Sequence, residues 1–254
     1  MSGERLLLDS YLKTLKLPTL RAEYEALARQ CNQANAPYED FLQRLAELEV
    51  QRRTAVAIER RMKQAEFPLV KELSGYRFAD VPKLNKKYVL DLARCRFIES
   101  KTNVVISGAP GVGKTHLAIA FGREACQRGY TVKFFTAARL VNTYLEARQE
   151  RTILKLEKAI RRCDLVIVDE LGYLPLDRMG AEHLFGFFSQ CYEQTSLIVT
   201  TNLPFADWPQ VLANEERLAG ALLDRLTHHV HILEIVGDSY RLKSSLEKGK
   251  EKQE

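Results

Sequence analysis

Gly108-Ala-Pro-Gly-Val-Gly-Lys114-Thr115 fits G-x-x-x-x-G-K-[ST], and no other stretch of the 254 residues restricts the fold so sharply. The string works only where a buried strand ends and a helix begins. Its glycines must bend the backbone so that successive N–H groups face one anion, with the positive end of the helix behind them. The flanks meet that requirement: Val104-Val105-Ile106 reads as a buried strand, and an amphipathic pattern follows Thr115. The expectation is a phosphate cradle formed by Gly108, Ala109, Pro110, Gly111, Val112, Gly113, Lys114, Thr115 and His116. Lys114 would reach the β and γ oxygens of ATP, and the Thr115 hydroxyl would ligate Mg²⁺.

Cys163-Asp-Leu-Val-Ile-Val-Asp169-Glu170 ends a second apolar strand in two acids, at the sheet edge where open α/β folds bind ligands. Asp169 is expected to hold Mg²⁺ and Glu170 to orient the attacking water. Ile198-Val-Thr-Thr-Asn202 ends in an amide that either senses the γ-phosphate or caps a strand before Pro204; residue chemistry leaves both open. Arg217, Arg225 and Arg241 lie beyond the core strands, where an arginine near a γ-phosphate would stabilise charge, although each alone also reads as a surface residue. His228, His229 and His231 are too closely spaced for any zinc pattern.

The rest of the chain is organised around these motifs. Residues 1 to about 65 carry apolar positions at three-to-four spacing, among them Leu8, Tyr11, Leu12 and Leu15, then Leu20, Tyr24, Leu27 and Cys31. A third helix should open near Pro37 with Glu39 and Asp40 in its first turn. Between about Glu66 and Asn85 the period is lost around Pro68, Gly75 and Pro82, which predicts a linker. Five strand-length runs then alternate with helical patterns: Val104–Ile106, Val132–Phe135, Leu165–Val168, Leu197–Thr200 and His231–Ile235. The fold class is therefore α/β, a five-stranded parallel sheet covered on both faces and preceded by a small all-α domain. The expected divisions are a helical domain over 1–68, a nucleotide-binding domain over 69–244 and a charged tail over 245–254. Five scattered cysteines without a C-x-x-C pair argue against a disulfide framework or zinc, and no run approaches ~20 apolar residues. These features suit the cytoplasm. Lys and Arg exceed Asp and Glu by 38 to 33, which permits contact with nucleic acid without requiring it.

Gly111-Val-Gly-Lys-Thr-His-Leu-Ala118, Val168-Asp-Glu-Leu-Gly-Tyr173, Thr200-Thr-Asn202, Asp224-Arg-Leu226 and Ser239-Tyr-Arg-Leu242 together resemble the IstB family, over nearly the whole chain. These are AAA+ ATPases encoded by insertion sequences and similar to the DnaC helicase loader. The resemblance implies an ATPase that assembles on DNA, remodels the target site and recruits and stimulates a partner transposase; a finger given in trans would build a homo-oligomer, ring or helical filament, and phosphate contact by Lys and Arg would make DNA binding largely sequence-independent. It also implies that Asn202 is the first sensor, Arg241 the second, and Arg225 or else Arg217 the arginine finger given to a neighbouring subunit. Only about nineteen residues follow the last strand, too few for the usual helical lid. DNA contact is expected from Arg148, Arg151, Lys155 and Lys158, on a helix from Arg148 to Arg162 where six basic residues outnumber two acids. Arg52, Arg53, Arg60, Arg61 and Lys63 form a second basic cluster. A DnaC-like helicase loader is the alternative reading. A small-molecule kinase gives no role to Glu170 beside Asp169, and a scaffold that binds without turnover gives none to Glu170 at all.

Overall fold

The computed structural model describes residues 3–173, 175–237 and 239–240, and the chain divides into two compact units between Arg60 and Arg61. In the first unit, α1 (Gly3–Thr14) and α2 (Pro18–Gln33) precede α3 (Tyr38–Ala65). Proline opens α2, its fixed φ suiting a first helical position, and Glu39 and Asp40 stand in the first turn of α3 beside the positive end of the dipole. Of the apolar residues expected on the first helix, Leu12 is buried, whereas Tyr11 and Leu15, the latter just past the end of α1, are more than half exposed.

The N-terminus of α2 lacks a local cap, since Leu17 stands at the capping position. Glu49, buried on α3, takes over that role. Its Oε2 accepts the backbone N–H of Thr19 at 2.9 Å and of Leu20 at 3.2 Å, and its Oε1 accepts Arg53 Nε at 2.7 Å. Arg53 also donates to the Lys16 carbonyl, so this member of the N-terminal basic cluster is engaged within its own unit. Burial alone would push the Glu49 carboxyl up, but the hydrogen bonds from Arg53 and the two amides outweigh it and hold the group below its ordinary value.

The second unit is built on a parallel sheet in the order β2-β3-β4-β1-β5: β1 (Asn103–Gly108), β2 (Val132–Thr136), β3 (Leu165–Leu171), β4 (Ser196–Thr201) and β5 (Val230–Ile235). Between and before the strands run α4 (Lys86–Leu92), α5 (Arg96–Glu99), α6 (Lys114–Gln127), α7 (Ala137–Gln149), α8 (Ile153–Ile160), α9 (Arg178–Cys191), α10 (Trp208–Val211) and α11 (Glu216–Thr227). Alternate strand residues serve opposite faces. Val104, Ile106, Phe134 and Ile167 pack in one core with Leu117 and Phe121 of α6, while Val105, Phe135, Val166 and Val168 pack in the other with Leu140, Leu184, Phe187 and Leu222. Asn103 fastens the sheet to its second layer: its side chain donates to the Leu226 carbonyl at 2.9 Å and accepts the Leu197 N–H at 3.0 Å, both buried.

Two segments depart from the sequence-based expectation. Residues 66–85 form two short 3₁₀ turns, Leu73–Gly75 and Phe78–Asp80, rather than a free linker, and Tyr76, Val81 and Leu84 are buried in the second unit's core. Proline and glycine remove the period there without removing the apolar side chains. The basic segment from Arg148 to Arg162 is not one helix: α7 ends at Gln149, Arg151 takes a left-handed φ of 58°, and α8 starts at Ile153. The proposed charged tail, 245–254, lies outside the described residues.

Replacing Glu49 by Ala should destabilise the helical unit by about 1–3 kcal/mol at pH 7, the cost of losing a cap and a charge-assisted bond. Because the folded-state pKa is depressed, this stabilisation is present above the ordinary value of 4.5 and is lost as pH falls through the lower folded value. Denaturant unfolding followed by helix signal should therefore show the gap between parent and Glu49→Ala closing from pH 7 toward pH 3. A gap that stays constant would remove Glu49 from this role.

Candidate nucleotide-binding site

The G-x-x-x-x-G-K-T segment joins β1 to α6 as its pattern requires. Gly113, at the helix N-cap, has φ +99°, and a Cβ there would come within 2.9 Å of the Tyr76 ring; only glycine meets both conditions. Lys114 folds over the loop, with Nζ donating to the carbonyls of Gly108 and Ala109 at 2.8 Å each. His116 places its Nε2 2.8 Å from the Glu72 carbonyl and its ring edge-on to Tyr76.

Beside the loop, the Thr115 hydroxyl donates to the Asp169 carboxylate, 3.0 Å from either oxygen. Asp169 is buried at the C-terminal end of β3, and burial pushes its carboxyl above the ordinary carboxylate range despite hydrogen bonds from Thr200 and Thr115. A hydroxyl and a desolvated carboxylate in contact form an oxygen donor pair suited to a hard divalent cation, whose charge would reverse the cost of keeping Asp169 ionised. These residues fit Mg²⁺.

Glu170 is placed by an irregularity in β3. Val168 pairs with Val199 and Leu171 with Thr201, so Asp169 and Glu170 share the single position of Thr200 opposite them. The extra residue is absorbed by Glu170 in a left-handed conformation, φ 59°, which leaves its side chain exposed while its neighbours Asp169 and Leu171 stay buried. At the end of β4 the Thr201 hydroxyl accepts the Leu203 N–H at 3.1 Å and orders the turn that carries Asn202.

These groups open on one cavity of about 550 Å³, within the usual size for a small-molecule site. It is lined by Pro110 to His116, Glu170, Thr200 and Asn202, and by Leu69, Lys71, Tyr76, Arg77 and Asp80 from the segment before α4. Tyr240 completes the rim: its N–H donates to the Gly111 carbonyl at 3.1 Å and its ring lies 5.2 Å from the Arg77 guanidinium. The wall from Leu69 to Asp80 was invisible to periodicity, and only the Ser239-Tyr-Arg string hinted at Tyr240.

The remaining candidates lie elsewhere. Arg225 is on α11 outside the cavity lining, its guanidinium 4.9 Å from the Phe185 ring and Nη1 donating to the Ala221 carbonyl at 2.8 Å. Arg217 is exposed near the start of the same helix. Arg241 lies outside the described residues. Arg148, Arg151, Lys155 and Lys158 are all exposed and make no ion pair among the described residues. His231 bonds Tyr88 at 2.7 Å while His228 faces Tyr192, and no cluster of three or more metal-binding side chains occurs among the described residues. Nor is any described helix long and apolar enough to cross a membrane.

Comparison with known proteins agrees with this geometry. The chain is 38% identical over 242 residues to the insertion sequence IS21 ATP-binding protein of Pseudomonas aeruginosa, covering 95% of this chain and 91% of that protein. It is 37% identical over 239 residues to the IS5376 ATP-binding protein of Geobacillus stearothermophilus, covering 93% and 94%. Among solved structures, AMPPCP-bound DnaA from Aquifex aeolicus superposes with a TM-score of 0.56 at 24% identity, over 73% of this chain and 56%, about half, of that one. The DnaC helicase loader superposes with a TM-score of 0.50 at 19% identity, over 69% and 99%. At these identities the structural likeness establishes the AAA+ P-loop fold alone. The family described as IstB-like ATP binding protein matches residues 10–248, and with relatives at 37–38% identity across nearly its whole length, the chain belongs to that family.

Proposed function

We propose that this protein is an Mg²⁺-dependent AAA+ ATPase that assembles on DNA with little regard to sequence and serves a partner transposase in moving an insertion sequence. The observation that supports it most directly is the convergence of Lys114, Thr115 and the exposed Glu170 on one cavity, with the buried Asp169 hydrogen-bonded to Thr115. In this reading the loop amides and Lys114 hold the phosphates, and the wall from Leu69 to Asp80 takes the nucleoside. Thr115 and Asp169 hold Mg²⁺, which supplies charge neutralisation at the phosphates. Glu170 accepts a proton from, and aligns, the attacking water, while Asn202 reads the γ-phosphate. Arg241 acts as a second sensor. The relatives' insertion-sequence origin favours a transposase over a replicative helicase as partner. Pull-down against each tests this, and capture of the helicase alone would overturn the choice.

Lys114→Ala should abolish nucleotide binding, because it deletes the cation of the phosphate cradle. Glu170→Gln keeps the cradle but loses the base, so ATP should bind with near-parent affinity while turnover falls ~10²-fold or more. Parent-rate hydrolysis by Glu170→Gln would reject its assignment.

Arg225 stands outside its own subunit's cavity lining, which suits a group donated to a neighbour, and a heterologous contact of that kind builds rings or filaments. A finger in trans contributes roughly 10³ to 10⁵ in rate in other NTPases. Mixing Arg225→Ala, which has an intact cradle, with Lys114→Ala, which has an intact finger, should restore activity at interfaces where the two intact halves meet. Absence of recovery in assemblies shown to contain both would transfer the role to Arg217.

Reversal of Lys155 and Lys158 to Glu should weaken binding to all DNA sequences alike and reduce its dependence on salt, because phosphate contacts release counterions whatever the bases are. Nucleotide affinity should stay at the parent value. An unchanged salt slope in filter or fluorescence binding would place the DNA surface elsewhere.

A further inference from the structure

A single buried hydroxyl ties the two acids of the site together. Thr200 is fully buried on β4; its Oγ1 donates to Asp169 Oδ1 at 2.5 Å and accepts the backbone N–H of Glu170 at 2.9 Å. The direction of each bond follows from chemistry: an ionised carboxylate offers no hydrogen, so the hydroxyl proton points to Asp169 and its lone pairs are left for the amide.

That amide needs a partner for a specific reason. Where β3 carries two residues against one of β4, the extra N–H falls out of the strand ladder, and a backbone donor at a buried position is rarely left unpaired. The left-handed conformation of Glu170 adds a further cost for a residue with a side chain. The Thr200 bond offsets both. Without it, the local backbone lowers its energy by relaxing the bend, and the Glu170 carboxylate swings with it.

We propose that Thr200 is a positioning residue for hydrolysis: its hydroxyl holds the Asp169 carboxylate and the left-handed bend at Glu170 as one unit, and so aims the Glu170 carboxylate at the attacking water. The inference rests on the reading of Glu170 as the base and goes beyond it in naming what sets that base in place. Thr200 acts through the two acids, and its methyl and hydroxyl have separable tasks. The methyl group fills a buried site; the hydroxyl alone bridges.

This separation decides the test. ATP turnover, affinity for a non-hydrolysable ATP analogue, thermal stability and hydrogen exchange at the Glu170 amide are measured for the parent, Thr200→Val, Thr200→Ser and Glu170→Gln. Thr200→Val keeps the shape and loses the bridge, so kcat should fall roughly 10- to 100-fold with little change in KM, as for a displaced catalytic group. Exchange at the Glu170 amide should quicken in the same variant. Thr200→Ser keeps the bridge and loses the methyl, so it should recover most of the lost rate even where it is the less stable protein. A residue that only fills space would rank the two in the opposite order, and that ranking overturns the proposal. Parent-like kcat in Thr200→Val together with a slow Glu170→Gln overturns the role of Thr200 alone. Parent-like turnover in Glu170→Gln overturns the reading of the base, and this inference with it. Should Thr200→Val not fold, Thr200→Cys, similar in size and a far weaker donor, takes its place with the same outcomes.

Discussion

The parallel pairing of β4 between β1 and β3 is the constraint on which the site depends. A parallel sheet sends all its strands' C-terminal ends to one edge, and the strand order then decides which ends are neighbours. The phosphate loop leaves β1 and the acids leave β3, so β4 ends between them and contributes Thr200 and Asn202 to the middle of the cavity. Two hydroxyls meet the Asp169 carboxylate near this junction, Thr115 from the start of α6 and Thr200 from β4.

Burial gives those contacts their weight. Asp169 sits where an ionised carboxylate is costly, and two hydroxyl donors compensate in part. A site in this condition gains most from a cation, and the same desolvation strengthens whatever charge interactions form there. Glu170, one residue on, is exposed because the bulge turns the chain outward at that point. Adjacent acids are thus given opposite environments by one backbone irregularity, one suited to hold a metal ion and the other to meet water. The helical unit uses comparable chemistry for a structural end: Glu49 is buried too, but its amide and guanidinium partners over-compensate and keep it charged.

Much of this was legible in residue order. The G-x-x-x-x-G-K-T string with its flanks, the two acids ending an apolar strand and the five strand-length runs all rest on short-range rules; the loop joins β1 to α6, Asp169 and Glu170 lie near the end of β3, and strand ends move by at most three residues. Local reading went astray where a pattern was broken without its packing being lost. The stretch 66–85 has no period, yet it supplies part of the cavity lining through Tyr76 and its neighbours. The basic run from Arg148 to Arg162 has charge enough for a helix face, but Arg151 turns left-handed and divides it between α7 and α8.

Sequence alone determined the fold class and the places of the glycine-rich loop and the two acids at the ends of their strands, because each depends on residues close together in the chain and on periods of two or 3.6. Tertiary structure decided which strand ends meet, that Thr200 bridges both acids, that Glu49 caps a helix 29 to 30 residues away, and that Arg225 is held on Phe185 outside the cavity lining. Those outcomes hang on strand order and on a register shifted by one residue. Both are set by how apolar faces fit against one another over long separations, a balance that no local pattern of residues records.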